Sequence, residues 1–176
     1  MKEEKFLLLY PKEEIALKVK DLADQISKDY DGEEVILVCI LKGAFIFLAD
    51  LIRYLRIPLK IDFVRLASYG SQTSSSGEIN ITKDIELSIE GKNVIIVEDI
   101  IDTGLTVSYL IERLKAKKPN SLKLCVLIDK NERREVKIET DYVGFILKEG
   151  FIVGYGLDFD ESYRHLPEIY MIVENK

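Results

Sequence analysis

The spacing of apolar residues changes several times along the chain, and each change marks an element. Over residues 13–28, Ile15, Val19, Leu22 and Ile26 recur at helical spacing between charged positions, which predicts an amphipathic helix with one buried stripe. Residues 35–41, VILVCIL, are unbroken apolar sequence, as expected of a strand covered on both faces in a parallel sheet. That run stops at Lys42-Gly43, and the largely apolar residues 44–55 predict a second helix. Residues 60–66 alternate imperfectly and read as a strand. Residues 94–97, VIIV, and 122–128 repeat the buried-strand signature, with Val107, Leu110, Ile111 and Leu114 at helical spacing between them. Residues 142–147 and 169–173 add two further strands. Strands alternating with helices in this way predict an α/β fold, with a mainly parallel central sheet flanked by helices.

Polar residues gather where the buried strands end. After VIIV come Glu98, Asp99 and Asp102, three carboxylates within five positions, followed by Thr103, Gly104 and Thr106. This is a strand-to-helix turn at the carboxyl edge of a sheet, where ligands bind in open α/β folds and where a helix N-terminus offers free N–H groups to phosphate. One acid or threonine there could simply cap the helix. Three acids together are different, because two like charges about 4 Å apart repel by roughly 4 kcal/mol at an effective dielectric of about 20. Ligand hydroxyls, a cation or a substrate proton would relieve that repulsion. Lys42-Gly43 and Asp129-Lys130 end two other buried strands, so their positions fall on the same sheet edge. Arg133 and Arg134 follow in a charged turn and read as solvated, with a structural or subunit-contact role for Arg134 as the second reading. From Ser68-Tyr69-Gly70 to about Glu78 the sequence is rich in Gly, Ser and Thr, long for a plain hairpin connection and of the kind that forms lids. Further on, Gly154 and Gly156 interrupt an aromatic-rich run, which suggests close approach of the backbone to a ligand.

Composition narrows the chemistry. With 176 residues, 47% hydrophobic and 32% charged, the chain fits one domain with a sizeable core. Cys39 and Cys125 lie in apolar strands and read as reduced core thiols, and His165 is the only histidine. A zinc cluster or a Cys/His nucleophile therefore has no parts, and His165 reads as a surface residue. The net charge of −6 argues weakly against nucleic acid as an obligatory partner, although a local basic face could still exist. No apolar run approaches the ~20 residues that span a bilayer, and the charged N-terminus does not read as a signal peptide. A cytoplasmic protein without membrane or nucleic-acid partners is expected.

The string EDIIDTG, within VIIVEDIIDTGLT, resembles the phosphoribosyl diphosphate (PRPP) motif of type I phosphoribosyltransferases, specifically that of the hypoxanthine-guanine branch. Leu-Lys-Gly at 41–43, Ser-Tyr at 68–69 and FIVGYGLDFDESYRHL from Phe151 extend the resemblance over nearly the whole chain. The resemblance implies the type I fold, with a small hood built from N- and C-terminal segments, and a single domain over 1–176 with a lid at about 68–79. It implies that residues 98–106, namely Glu98, Asp99, Ile100, Ile101, Asp102, Thr103, Gly104, Leu105 and Thr106, bind PRPP. Leu105 stands where some members carry a basic residue, so no contact with a charged group is assigned to it. Lys42 and Gly43, in a turn with a non-proline cis peptide, and Arg164 are implied to hold diphosphate. Lys130, Phe151, Ile152 and Asp158 are implied at the purine, and Ser68 and Tyr69 in the lid. Asp102 is the candidate general base, and magnesium is expected with Glu98, Asp99 or Asp158 as protein ligands.

The expected activity is transfer of phosphoribosyl from PRPP to a 6-oxopurine, in a homodimer or homotetramer. Three alternatives compete with it. A PRPP-sensing nucleic-acid regulator would need a basic face or an added module, and the short acidic chain shows neither. A P-loop or dinucleotide-binding protein would need GxxxxGK[ST] or GxGxxG, which do not occur. A xanthine-preferring transferase is the nearest competitor within the enzyme class.

Overall fold

Two antiparallel or parallel partners are needed to cover each apolar strand, and the computed structural model, which describes residues 5–68 and 79–173, supplies them in a six-stranded sheet. Its strands are β2 (Val35–Leu41), β3 (Leu59–Ser68), β4 (Ile79–Lys83), β5 (Asn93–Ile101), β6 (Ser121–Lys130) and β7 (Tyr142–Leu147), in the order β4-β3-β2-β5-β6-β7. All neighbours run parallel except β4, which is antiparallel to β3. From β2 the chain builds outward to β3 on one side and later to β5 on the other. The strand order thus reverses between β2 and β5, and the crevice beyond the carboxyl ends of such a pair is the expected ligand site. Register brings Cys39 opposite Val97, so the Lys42-Gly43 turn and the acidic turn emerge side by side.

Helices α1 (Lys12–Asp29) and α2 (Phe45–Tyr54) cover one face, where Ile15, Val19, Leu22, Ile26, Phe47 and Leu51 pack with Leu37, Cys39, Ile95, Val97 and Leu127. Helix α3 (Leu105–Lys115) covers the other, placing Val107, Leu110 and Leu114 on Val38, Val94, Ile96 and Val126. Burying each such side chain contributes about 1.5–3 kcal/mol, which fixes the three helices to the sheet. Pro11 stands at the start of α1 with its carbonyl accepting from Ile15 N at 3.0 Å, and Glu13, Glu14 and Lys28 suit the helix dipole. Among the described residues no helix is long and apolar enough to cross a membrane.

A second, antiparallel sheet of β1 (Lys5–Tyr10), β9 (Ile169–Val173) and β8 (Phe151–Val153), in the order β1-β9-β8, forms the hood from the two ends of the chain. The peptide between Leu41 and Lys42 is cis, as the resemblance implied. Ser68 is the last residue of β3 and pairs with Ile79, so the polar segment does connect two antiparallel strands. The lid expected at about 68–79, with Tyr69, otherwise falls on residues 69–78, outside the described residues.

The glycines of the aromatic-rich run need a different explanation from the one their sequence suggested. A Cβ on Gly154 would collide with the Glu168 carbonyl, and one on Gly156 with the Gly43 carbonyl. Both therefore serve contact between main chains and not with a ligand, and Gly156 seats the hood segment directly against the Lys42-Gly43 turn. Gly154 also has φ +98°, a conformation costly for any L side chain. Gly154→Ala is expected to destabilise the protein by about 2 kcal/mol or more. In a thermal melt this should appear as a Tm lowered by roughly 5 °C or more; an unchanged Tm would show that the loop has room to adjust.

Candidate active site

Gly104 makes the acidic turn possible. Its φ of +86° reverses the chain just before α3, and its carbonyl accepts the N–H of Ser108 at 2.9 Å, opening the helix. The N–H groups of the turn and first helical residues are thereby left for an anion. Thr103 straps the turn in place, its carbonyl accepting from Glu135 N at 2.9 Å and Val136 N at 3.2 Å. In front lies a cleft of about 330 Å³, lined by Lys42, Gly43, Glu98 to Gly104, Thr106, Asp158 and Arg164 with apolar neighbours.

The carboxylates divide by environment. Asp99 lies over Gly43, where any Cβ would strike its carboxylate, so a side chain at residue 43 would displace the Asp99 carboxylate from its present place. Glu98 is buried, and its Oε1 accepts from Asp99 N at 3.1 Å. Burial first, and then the neighbouring Asp99 carboxylate, push the Glu98 carboxyl well above its ordinary range. The like-charge conflict anticipated from the sequence thus shows itself within the chain, where burial and the Asp99 carboxylate both disfavour the charged form of Glu98.

Two clusters of opposite charge flank the turn. At the hood side, Lys42 Nζ is 2.8 Å from Glu161, while Arg164 reaches Asp158 at 2.8 Å, Glu161 at 3.4 Å and the Gly156 carbonyl at 2.8 Å. Lys42 holds the Glu161 carboxyl below its usual range. At the β6 side, Asp102 meets Arg133 through Oδ2 at 2.8 Å, but its Oδ1 is buried with no hydrogen-bond partner. That oxygen lies 3.8 Å from Nζ of Lys130, whose side chain is 4% exposed and also meets Glu132 at 3.0 Å. An unpartnered buried acceptor beside a buried ammonium is costly in an empty site and useful in a filled one.

The whole arrangement has counterparts in known proteins. The chain matches the phosphoribosyl transferase domain over residues 8–160. It is 47% identical over 167 residues to a hypoxanthine-guanine phosphoribosyltransferase of Streptococcus thermophilus, covering 95% of this chain and 93% of that one. To the enzyme of that description from Aquifex aeolicus it is 48% identical over 169 residues, or 96% and 95% of the two chains. The chain belongs to the hypoxanthine-guanine phosphoribosyltransferase family. A crystal structure of such a transferase from Bacillus anthracis superposes with a TM-score of 0.89 at 47% identity, covering 97% of this chain and 99% of the other. The type I phosphoribosyltransferase fold and a pentosyltransferase activity follow from that membership.

Within this transferase fold the expected residues are not all equally placed. The cleft gathers Lys42, Gly43, Glu98, Asp99, Ile100, Ile101, Asp102, Thr103, Gly104, Thr106, Asp158 and Arg164. Leu105, also expected at PRPP, is 40% exposed and lies off the cleft lining. Lys130 is not among the residues lining the cleft, and its Nζ lies 3.8 Å from Oδ1 of Asp102, which is. Phe151 is 44% exposed and edge-on to Phe159, with ring centroids 5.4 Å apart. The Ile152 side chain is buried in the core, which leaves only its main chain for a ligand. His165 is exposed, and Cys39 and Cys125 are buried, free thiols pushed up by burial. Among the described residues no three His, Cys, Asp or Glu side chains converge as a metal cage.

The preferred reading of Arg133 and Arg134 as solvated holds for Arg133, whose side chain is 61% exposed, and is overturned for Arg134. Arg134 is 16% exposed in its side chain and bonds the carbonyls of Ile101 at 3.2 Å, Asp102 at 3.0 Å and Lys130 at 3.0 Å, as well as the Asp129 carboxylate. It staples the acidic turn to the end of β6, as the second, structural reading had it. Arg133 sits on Asp102. Glu132 and Glu161 were not singled out from the sequence at all; the signal available was only that each is an acid within three residues of a named cation.

Proposed function

We propose that the chain transfers the phosphoribosyl group of PRPP to N9 of hypoxanthine or guanine, releasing diphosphate and forming IMP or GMP. The observation that carries this reading is the buried, unpartnered Oδ1 of Asp102 beside the Lys130 ammonium. O6 and N7 of a 6-oxopurine lie on one edge of the base. With N7 protonated, that edge offers an acceptor to Lys130 and a donor to Asp102. As N9 bonds to ribose, the N7 proton would pass to Asp102, which acts as general base. Oδ2 is tied to Arg133, which leaves Oδ1 as the oxygen for that transfer.

The remaining groups suit the sugar and phosphates. N–H groups and hydroxyls from Asp102 to Thr106 would hold the ribose phosphate, Asp99 and Glu98 the ribose hydroxyls, and Lys42, Gly43 and Arg164 the diphosphate. Lys42 and Arg164 already share the Glu161 carboxylate, so two cations converge where a doubly anionic leaving group would sit. Magnesium fits this donor set as a guest of the substrate: such ions take one or two carboxylates and complete their shell with phosphate and water. Glu98, Asp99 and Asp158 all line the cleft and could supply those oxygens; burial disfavours the charged form of Glu98, which makes it the poorer ligand. When bound, the ion would neutralise charge accumulating on the departing diphosphate. The segment 68–79 would act as a lid, and the protein would work in the cytoplasm as a homodimer or homotetramer, without nucleic acid or membrane.

The test is to incubate the protein with PRPP, magnesium and each nucleobase in turn and follow nucleotide formation. IMP and GMP are expected. Excess chelator should abolish the reaction and added magnesium restore it; full activity in chelator with metal-free PRPP would remove metal from the mechanism, and absence of product with either base would refute the assignment.

A further inference from the structure

Lys130 is a buried cation with three donors and no acceptor, and two carboxylates compete for it. Glu132 Oε2 stands at 3.0 Å, within hydrogen-bond range; Asp102 Oδ1 stands at 3.8 Å, outside it. We propose that Glu132 is the positioning residue of the purine pocket, drawing the Lys130 ammonium away from Asp102 so that a donor and an acceptor stay open side by side for a 6-oxopurine edge. The inference rests on the reading of the site given above and adds to it the residue that keeps the site open.

The physical reason is that a buried ion pair closes when nothing opposes it. At the low effective dielectric of an interior, opposite charges attract strongly. With Glu132 neutralised, Asp102 becomes, among the described residues, the only carboxylate paired with Nζ, and a shift of about 1 Å would bring the pair to ordinary hydrogen-bond length. The closed pair would use up both the donor for O6 and the acceptor for N7–H. Glu132 is suited to oppose this. Lys130 first, and then the Gly150 N–H, hold its carboxyl below the usual range, so it stays charged through mild acid. The bond from Gly150 N, at 3.3 Å, has a second effect. Gly150 immediately precedes Phe151, so one carboxylate ties the lysine expected at the base edge to the start of the strand carrying the aromatic expected at the base face.

The experiment compares wild type, Glu132→Gln, Glu132→Asp, Lys130→Ala and the Glu132→Gln/Lys130→Ala double variant, varying hypoxanthine at saturating PRPP-magnesium and then the reverse. Loss of a charged hydrogen bond should raise KM for hypoxanthine about tenfold in Glu132→Gln, with KM for PRPP unchanged. Glu132→Asp should recover most of the loss, and the double variant should be no worse than Lys130→Ala alone. Glu132→Gln matching wild type, a parallel rise in both KM values, or penalties that multiply in the double variant would overturn the proposal. A wild type that uses neither hypoxanthine nor guanine would instead overturn the reading of the site, and this inference with it.

Discussion

Asparagine in place of Asp102 is expected to lower kcat by about 10² to 10⁴, the usual contribution of a general acid or base, while leaving Tm and PRPP binding near wild type. The substitution keeps shape and volume. It loses the salt bridge from Oδ2 to Arg133, whose side chain is 61% exposed, and such surface pairs contribute at most about 1 kcal/mol. What it removes is the ability of a buried oxygen to take a proton from the base as the glycosidic bond forms. The backbone of residue 102 stays in position, because its carbonyl is held by Arg134 at 3.0 Å independently of the side chain. Rapid-quench or steady-state kinetics at saturating substrates decide the matter, and near-wild-type turnover by Asp102→Asn would remove Asp102 as the base.

What the sequence disclosed and what it hid follow a physical rule. Strands β2, β5 and β6 are covered on both faces, so their sequences are continuous apolar runs that stand out from the rest of the chain. Strands β1 and β8 lie in the small outer sheet, β8 only three residues long, and β4 is an edge strand, so none carries a strong pattern. Of these, only the hood was anticipated, and by resemblance. In the site, the acidic turn and the lysine and glycine at the strand ends were legible because charge directly after a buried strand is unusual. Glu132 and Glu161 were not, and Arg134 was legible only as a second, structural reading. A charged residue in a turn looks solvated until tertiary structure brings its partner from elsewhere in the chain, as Arg134 shows by reaching back to the carbonyls of residues 101 and 102. Nor could sequence show that the Glu98 carboxyl is pushed up, since that depends on burial against Asp99.

Lys130→Ala is expected to lower kcat/KM for hypoxanthine by about 10- to 150-fold, the equivalent of a hydrogen bond to a charged group at 1.5–3 kcal/mol. It should also erode the preference for 6-oxopurines over adenine. An ammonium can donate to a 6-oxo oxygen but not to a 6-amino group, so adenine in the wild-type site would set donor against donor with both desolvated. Stacking on Phe151 is indifferent to that exchange, because each purine presents a similar π-face. With the lysine gone, hypoxanthine loses its partner while adenine loses only a repulsion, and the two bases should converge. Unchanged selectivity in Lys130→Ala would move base recognition to another residue.

If the pair formed by Lys130 and Asp102 reads the O6 and N7 edge of a 6-oxopurine, base selectivity must show it. The measurement closest to it is kcat/KM of the wild-type protein for hypoxanthine, guanine and adenine at saturating PRPP and magnesium. A site built to hydrogen-bond one substrate group can discriminate by about 10⁴ or more, so hypoxanthine and guanine should both react and adenine should fall below them by that order. Adenine turnover comparable to that of hypoxanthine would contradict the account.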